Sequence, residues 1–225
     1  MTAFRAALIS LLALCAACQQ PATAGGGAIN APAPARTAHE PAGLKVAIFA
    51  GGCYWGIEGV FSHINGVTSA VSGFHGGAGA TAQYERVSDG NTGHAEAVRV
   101  TYDPAKVRYD QLLEIFFSVG ADPTTLNRQG PDTGTQFRSA LVPMSEEQRL
   151  VASAYLAQMA ASGVWKRPIV THIEAYRRFY AAEDYHQDFM AKNPNHPYIL
   201  AWDAQKVAAL KRLYPAIYRQ SFTRG

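Results

Sequence analysis

Apolar residues recur along this chain in two periods. From Val46 to Ala50 they run unbroken, and then Ile57, Phe61 and Ile64 return at spacings of four and three. The first pattern predicts a strand over 45–50. The second predicts a helix, because side chains repeat every two residues across a strand and every 3.6 around a helix. Gly51-Gly52-Cys53 joins the two through a sharp turn that glycine makes accessible. Further on, 67–74 reads as a strand with Val67 and Val71 on one face. In 93–102 the alternation puts Glu96, Val98, Val100 and Tyr102 on one face and Ala95, Ala97, Arg99 and Thr101 on the other. Leu112, Leu113, Phe116 and Phe117 mark the apolar face of a helix over 109–119, which Gly120 stops.

The second half continues the mixture. A long polar loop over 122–136 has turn residues and no charge run, so an ordered binding loop is expected. A strand over 137–142 follows. Ser145-Glu146-Glu147-Gln148 is a capping box that opens a helix to about residue 161. A strand over 169–175, a helical segment around 183–187, a Pro- and Asn-rich turn over 193–198, and a last helix capped by Asp203 and closed by Pro215 complete the chain. Strands mixed with helices, with a βαβ unit around Cys53, place the fold in the α+β class: one mixed sheet with helices packed on it. The single catalytic domain is expected over 44–218, with a tail over 219–225.

The start of the chain is of another kind. Arg5 followed by the apolar, small-residue run 6–17 is too short to span a bilayer and reads as a bacterial secretory signal over 1–18. Leu14-Cys15-Ala16-Ala17-Cys18 resembles a lipobox, with Cys15 where Leu is usual. Cys18 would then carry the lipid, and Gln19 after it suits an outer-membrane anchor facing the periplasm. Ordinary cleavage near Ala17, giving a soluble periplasmic protein, is the alternative. Residues 19–43 are rich in Pro, Ala, Gly and Thr and are expected to form a flexible tether. The net charge of +3 falls by one when Arg5 leaves, and no dense basic stripe argues for nucleic acid.

Three cysteines are present: Cys15, Cys18 and Cys53. With the first two in the signal, Cys53 is the free thiol of the folded domain. It stands at the first turn of a helix, where unpaired N–H groups and the dipole favour an anion, so a depressed thiol pKa is expected. Cys53 reads either as such a nucleophile or as a small buried hydrophobe. Glu96, on an apolar strand face, reads either as a carboxyl kept protonated by burial or as a strand-end residue that reaches solvent. His94 or His186 beside Cys53 would instead suit a thiol hydrolase. A module holding methyl groups on Tyr54 and Trp55 would need no thiol. The loop over 75–84 lacks the Lys-Ser/Thr of a phosphate cradle, and no His or Cys pairs fall at metal-ligand spacing.

Four blocks carry a resemblance: Gly52-Cys53-Tyr54-Trp55-Gly56, Gly93-His94-Ala95-Glu96, 126–132 with Gly134-Thr135-Gln136, and 182–187. In this order the chain resembles the A-type peptide methionine sulfoxide reductases over roughly residues 46–214. The resemblance implies a ferredoxin-like core and reduction of the S-epimer of methionine sulfoxide, free or in proteins. It implies Cys53 as nucleophile, Glu96 as acid, and Tyr84 and Asp132 as hydrogen-bonding groups around the sulfoxide oxygen and the Glu. Tyr54 and Trp55 match the aromatic pair that receives the methyl group, with Phe137 and His186 also in the substrate pocket. Two positions depart from the family: Tyr54 where Phe is common, and Phe137 where Tyr is common. Loss of one hydroxyl donor costs up to about 2.7–4 kcal/mol where nothing compensates. No cofactor or metal is implied. No cysteine follows Cys53, so regeneration falls to an external thiol, a thioredoxin-like protein or a small thiol. The membrane is reached only through the N-terminal lipid, and a monomer is expected.

Overall fold

The computed structural model describes residues 27–225. The expected signal, with Cys15 and Cys18, lies outside the described residues, as do residues 19–26 of the expected tether. The elements run in chain order as β1 (Lys45–Gly51), α1 (Tyr54–Ser62), β2 (Val67–His75), α2 (Tyr84–Ser88), β3 (Ala95–Tyr102) and α3 (Tyr109–Ile115). A small hairpin, β4 (Arg128–Gln129) and β5 (Asp132–Thr133), precedes β6 (Ser139–Val142) and α4 (Glu146–Ala161). The chain ends with β7 (His172–Ile173), β8 (Phe179–Ala181), α5 (Phe189–Lys192) and α6 (Ala204–Leu213).

Six strands form one sheet in the order β7-β6-β1-β3-β2-β8. All neighbours are antiparallel except β6 and β7. The inner four strands with α1 and α3 trace the βαββαβ path of a ferredoxin-like core, the expected class. β1 lies in the middle and is buried on both faces, which is why it reads as an unbroken apolar run. Ala47 and Phe49 face the helices, while Ile48 and Ala50 face the smaller cluster behind the sheet. Phe49 packs on Phe61 of α1 at 4.6 Å between ring centroids and on Phe116, just past α3, at 5.3 Å. That contact clamps α1 over the end of β1 and fixes where Cys53, between them, must point.

Several elements depart from the sequence pattern. Val67 and Val71 face opposite sides of the sheet, because the register shifts between Val67 and Ser69. Such a bulge breaks the two-residue period on which the expectation rested. Only Ser139–Val142 and His172–Ile173 of the expected strands 137–142 and 169–175 are paired. Residues 183–187 form turns rather than a helix, and edge strand β8 precedes them. Asp203 makes no side-chain cap on α6. It is fully buried and forms an ion pair with Lys206 instead.

The described part of the expected tether is pinned to the domain. Backbone N–H groups of Ile29, Ala31 and Ala38 donate to Ser118 O, Ser118 Oγ and Asp110 Oδ1 at 2.9, 3.1 and 2.9 Å. Tyr102 Oη donates to Glu40 Oε2 at 2.6 Å, and Ala31 and Ala38 are buried. A Pro- and Ala-rich run lacks partners of its own, but its small side chains let it lie flat where the domain supplies them.

Candidate active site

Cys53 ends the turn between β1 and α1 and precedes the first helical residue. Gly52 makes the turn with φ of +89°, a conformation other residues rarely adopt. A methyl group there would fall 2.5 Å from Gln129 Cβ. Gln129 is buried, and its amide ties the polar loop together: Nε2 donates to Asp122 O at 2.8 Å and to Thr125 Oγ1 at 3.0 Å. The long loop is thus ordered, and it lies directly against the cysteine turn.

The strand face expected to carry Glu96 inward does so, and Glu96 is 4% exposed. Its Oε2 accepts a hydrogen bond from Tyr54 N, the residue after Cys53, at 3.0 Å. Burial, then the neighbouring carboxylates of Asp132 and Asp203, push Glu96 up to about 8, while the Tyr54 N–H pulls the other way. The carboxyl therefore keeps its proton at neutral pH.

Cys53 departs from expectation. Burial, Glu96 and Asp203 push its thiol well above the ordinary range, and only the Trp55 N–H and Lys206 pull it down. The start of α1 is one favourable contribution among several opposing ones, so the resting sulfur is a thiol rather than an anion. A cavity of about 930 Å³ reaches it, lined there by Gln129, Asp132, Tyr198, Trp202 and Lys206.

Aromatic rings close the other side. The Trp55 indole N–H donates to His186 Nδ1 at 3.1 Å, and Tyr84 packs on His186 at 4.3 Å. Tyr84 lies within electrostatic reach of both Glu96 and Cys53. Its backbone N–H is held by Glu183 Oε1 at 2.9 Å. The Tyr54 ring is buried beside Phe74 and His186. Asp132 accepts a short hydrogen bond from Tyr198 Oη.

Comparison with known proteins agrees with this geometry. The family model of peptide methionine sulfoxide reductase matches residues 45–216. A relative from Mesorhizobium japonicum, peptide methionine sulfoxide reductase MsrA 2, is 53% identical over 178 residues, which is 79% of this chain and 91% of the relative. A protein of the same name from a Synechocystis strain is 49% identical over 172 residues, covering 76% of this chain and 80% of that one. Among solved structures, reduced Mxr1 from Saccharomyces cerevisiae superposes with a TM-score of 0.61 at 33% identity, covering 72% of this chain and 92% of that one. Methionine sulfoxide reductase A of Corynebacterium diphtheriae gives 0.58 at 32%, covering 79% and 87%.

The chain belongs to the peptide methionine sulfoxide reductase family.

Within this reductase the structure brings together Cys53, Tyr54, Trp55, Tyr84, Glu96, Asp132 and His186. Phe137 ends a 3-10 turn and is half-buried, and among the described residues no ring packing or hydrogen bond joins it to Cys53. Tyr198 was not foreseen as a functional residue, and its hydroxyl now faces Asp132 and the sulfur. Its only signal was a polar aromatic at the end of a Pro- and Asn-rich turn. Lys206 and the buried Asp203 were missed as well. Neither histidine considered for a hydrolase is hydrogen-bonded to Cys53 among the described residues. His94 Nδ1 accepts from Gly77 N at 3.2 Å and its Nε2 meets Ala78 O at 3.0 Å, while His186 serves Trp55.

Proposed function

We propose that this reductase converts methionine (S)-sulfoxide, free or in proteins, to methionine, with Cys53 as nucleophile and Glu96 as acid. The observation that carries the assignment is the Glu96–Tyr54 hydrogen bond. It holds a carboxyl that burial keeps protonated within one residue of the thiol. Glu96 gives its proton to the sulfoxide oxygen, which makes the sulfinyl sulfur electrophilic. The Cys53 sulfur attacks that sulfur as its own proton passes to the Glu96 carboxylate. In the sulfurane so formed the Glu96 proton releases the hydroxyl as water, which breaks the substrate S–O bond. A water then attacks the Cys53 sulfur, its proton returns to Glu96, the S–S electron pair passes to the substrate sulfur, and the sulfide departs from a Cys53 sulfenic acid. The substrate sulfur gains two electrons and Cys53 loses two.

Tyr84, Tyr198 and Asp132 supply hydroxyl and carboxyl groups around the oxygen. Tyr84 supplies a hydroxyl where Phe137 has none, while the Tyr198 hydroxyl is engaged by Asp132. Trp55, oriented by His186, and the Tyr54 ring offer an apolar seat for the methyl group. An external thiol then attacks the sulfenic sulfur, releasing water and forming a mixed disulfide. A second thiol frees Cys53. A thioredoxin-like protein or a small thiol can fill this role.

Turnover of each sulfoxide epimer, first with a dithiol and then with a monothiol, tests the assignment. Reduction of the S-epimer alone, with either reductant, is expected. Equal turnover of both epimers, or of neither, contradicts it. We also propose a monomer held in the periplasm through a lipid on Cys18. Metabolic labelling with a radioactive fatty acid, lost in Cys18→Ser, tests the anchor. An unlabelled full chain supports the soluble form.

A further inference from the structure

We propose that Lys206 is a positioning residue for Cys53: its ammonium, held by Asp203 on the open side of Gly56, keeps the sulfur able to leave and to attack in a pocket otherwise ringed by acids and phenols. This inference rests on Cys53 being the nucleophile.

The geometry is specific. Asp203 is fully buried, and Lys206 Nζ forms an ion pair with its Oδ1 at 3.1 Å, the lysine side chain being only 22% exposed. Gly56 is in the first turn of α1, three residues after Cys53. A methyl group on Gly56 would meet Asp203 Oδ1 at 2.1 Å and Lys206 Nζ at 2.9 Å. The missing side chain is thus the space in which the pair sits, and Lys206 lines the same cavity as Cys53.

The groups facing the sulfur come from every neighbouring element. β3 gives Glu96, β5 gives Asp132, α2 gives Tyr84, and the C-terminal arm gives Tyr198, Asp203 and Lys206. His186 packs behind Tyr84, and burial lowers its pKa. Of the charges felt at the sulfur, that of Lys206 is the one that favours the thiolate. Three arginines also line the cavity. Arg167 is paired with Asp122 at 3.1 Å, Arg128 turns its Nε to Gly130 O, and Arg212 lies on the same helix as Lys206.

A chain that relies on external thiols needs this cation twice. In exchange, the incoming thiolate attacks the outer sulfur of the mixed disulfide, and the S–S electron pair passes to Cys53. A leaving thiolate stabilised by a nearby cation departs faster. The same charge raises the thiolate fraction available for the next attack.

The test is the pH profile of Cys53 alkylation by iodoacetamide in the full chain, followed by mass spectrometry of the peptide that contains it. Lys206→Met is expected to slow alkylation at pH 8 by about tenfold, one unit of thiol pKa, with the same limiting rate at high pH. Lys206→Arg restores most of that rate, and Asp203→Asn shifts the profile in the opposite direction. An unmoved profile in Lys206→Met, or an upward shift in both Lys206→Met and Asp203→Asn, overturns the proposal. If circular dichroism shows that Lys206→Met does not fold, Lys206→Gln gives the same reading. Sulfoxide turnover by the unaltered chain is scored separately. A chain that reduces sulfoxide with no profile shift refutes the role of Lys206 alone. A chain with the shift and no turnover refutes the assigned reaction.

Discussion

Two buried glutamates flank the helix that follows Cys53. Glu96 reaches the N-terminus of α1 from β3, and Glu58 is part of α1 itself. Burial pushes both up to about 8. Their surroundings are otherwise unlike. Glu96 holds Tyr54 N and lies close enough to Cys53 to raise its thiol. Glu58 is fully buried against Ser72 and the backbone of Asp188, and does not register at the sulfur. A raised carboxyl pKa is what burial does to any acid, so it does not mark a catalytic group. What sets Glu96 apart is a fixed place next to a nucleophile.

The sharpest break of that comparison is removal of the two reacting groups. Cys53→Ser abolishes turnover, since a hydroxyl can neither attack nor take up the oxygen as a sulfenate. Glu96→Gln keeps the acceptor for Tyr54 N but carries no transferable proton. Turnover at neutral pH should fall by about 10²–10⁴-fold, the usual worth of a placed general acid. Thermal denaturation should show little change. Residual activity near that of the unaltered protein would return Glu96 to the class of Glu58.

Glu58→Gln asks the reverse. Turnover should stay within about twofold, and the visible change should be in stability against pH. A carboxyl whose folded pKa is raised binds its proton more tightly in the folded state. Its contribution is full below the unfolded value of about 4.5 and is lost as pH rises through about 8. Urea denaturation between these limits should show a flatter profile in Glu58→Gln than in the unaltered chain. A large loss of turnover would mean that Glu58 reaches the reaction.

Gly56 lies on α1 two residues before Glu58. Gly56→Ala drives a methyl group into the buried Asp203 carboxylate and should cost about 1–3 kcal/mol in denaturation. The smallest effect is expected at Tyr54. Its hydroxyl is buried with no hydrogen-bond partner among the described residues. Tyr54→Phe should raise stability by about 1 kcal/mol, because a buried unpaired hydroxyl is costly.

The turn before Cys53 and the inward face of Glu96 rest on local periods of two and 3.6, and both were legible. Glu58 was not. The apolar spacing of Ile57, Phe61 and Ile64 marks one face of α1, yet nearly the whole helix is buried. Met190 of α5 and Val207 of α6 cover its glycine side, near Gly59. That cover comes from well over a hundred residues downstream, where no local period reports it. Tyr198, Asp203 and Lys206 were hidden for the same reason, and so was the rise of the Cys53 thiol. A helix start argues for an anion, but the acids that outweigh it arrive from β3 and the C-terminal arm. The described part of the tether is held by hydrogen bonds that other segments supply, which no local pattern reports.

The most direct measurement is single-turnover release of methionine from the S-sulfoxide, per Cys53, as a function of pH in the unaltered chain and in Glu96→Gln. In the unaltered protein the rate is expected to fall as pH rises through about 8. In Glu96→Gln the rate is low throughout and that descending limb is gone. The same descending limb in both proteins would show that the proton comes from elsewhere and would contradict the role given to Glu96.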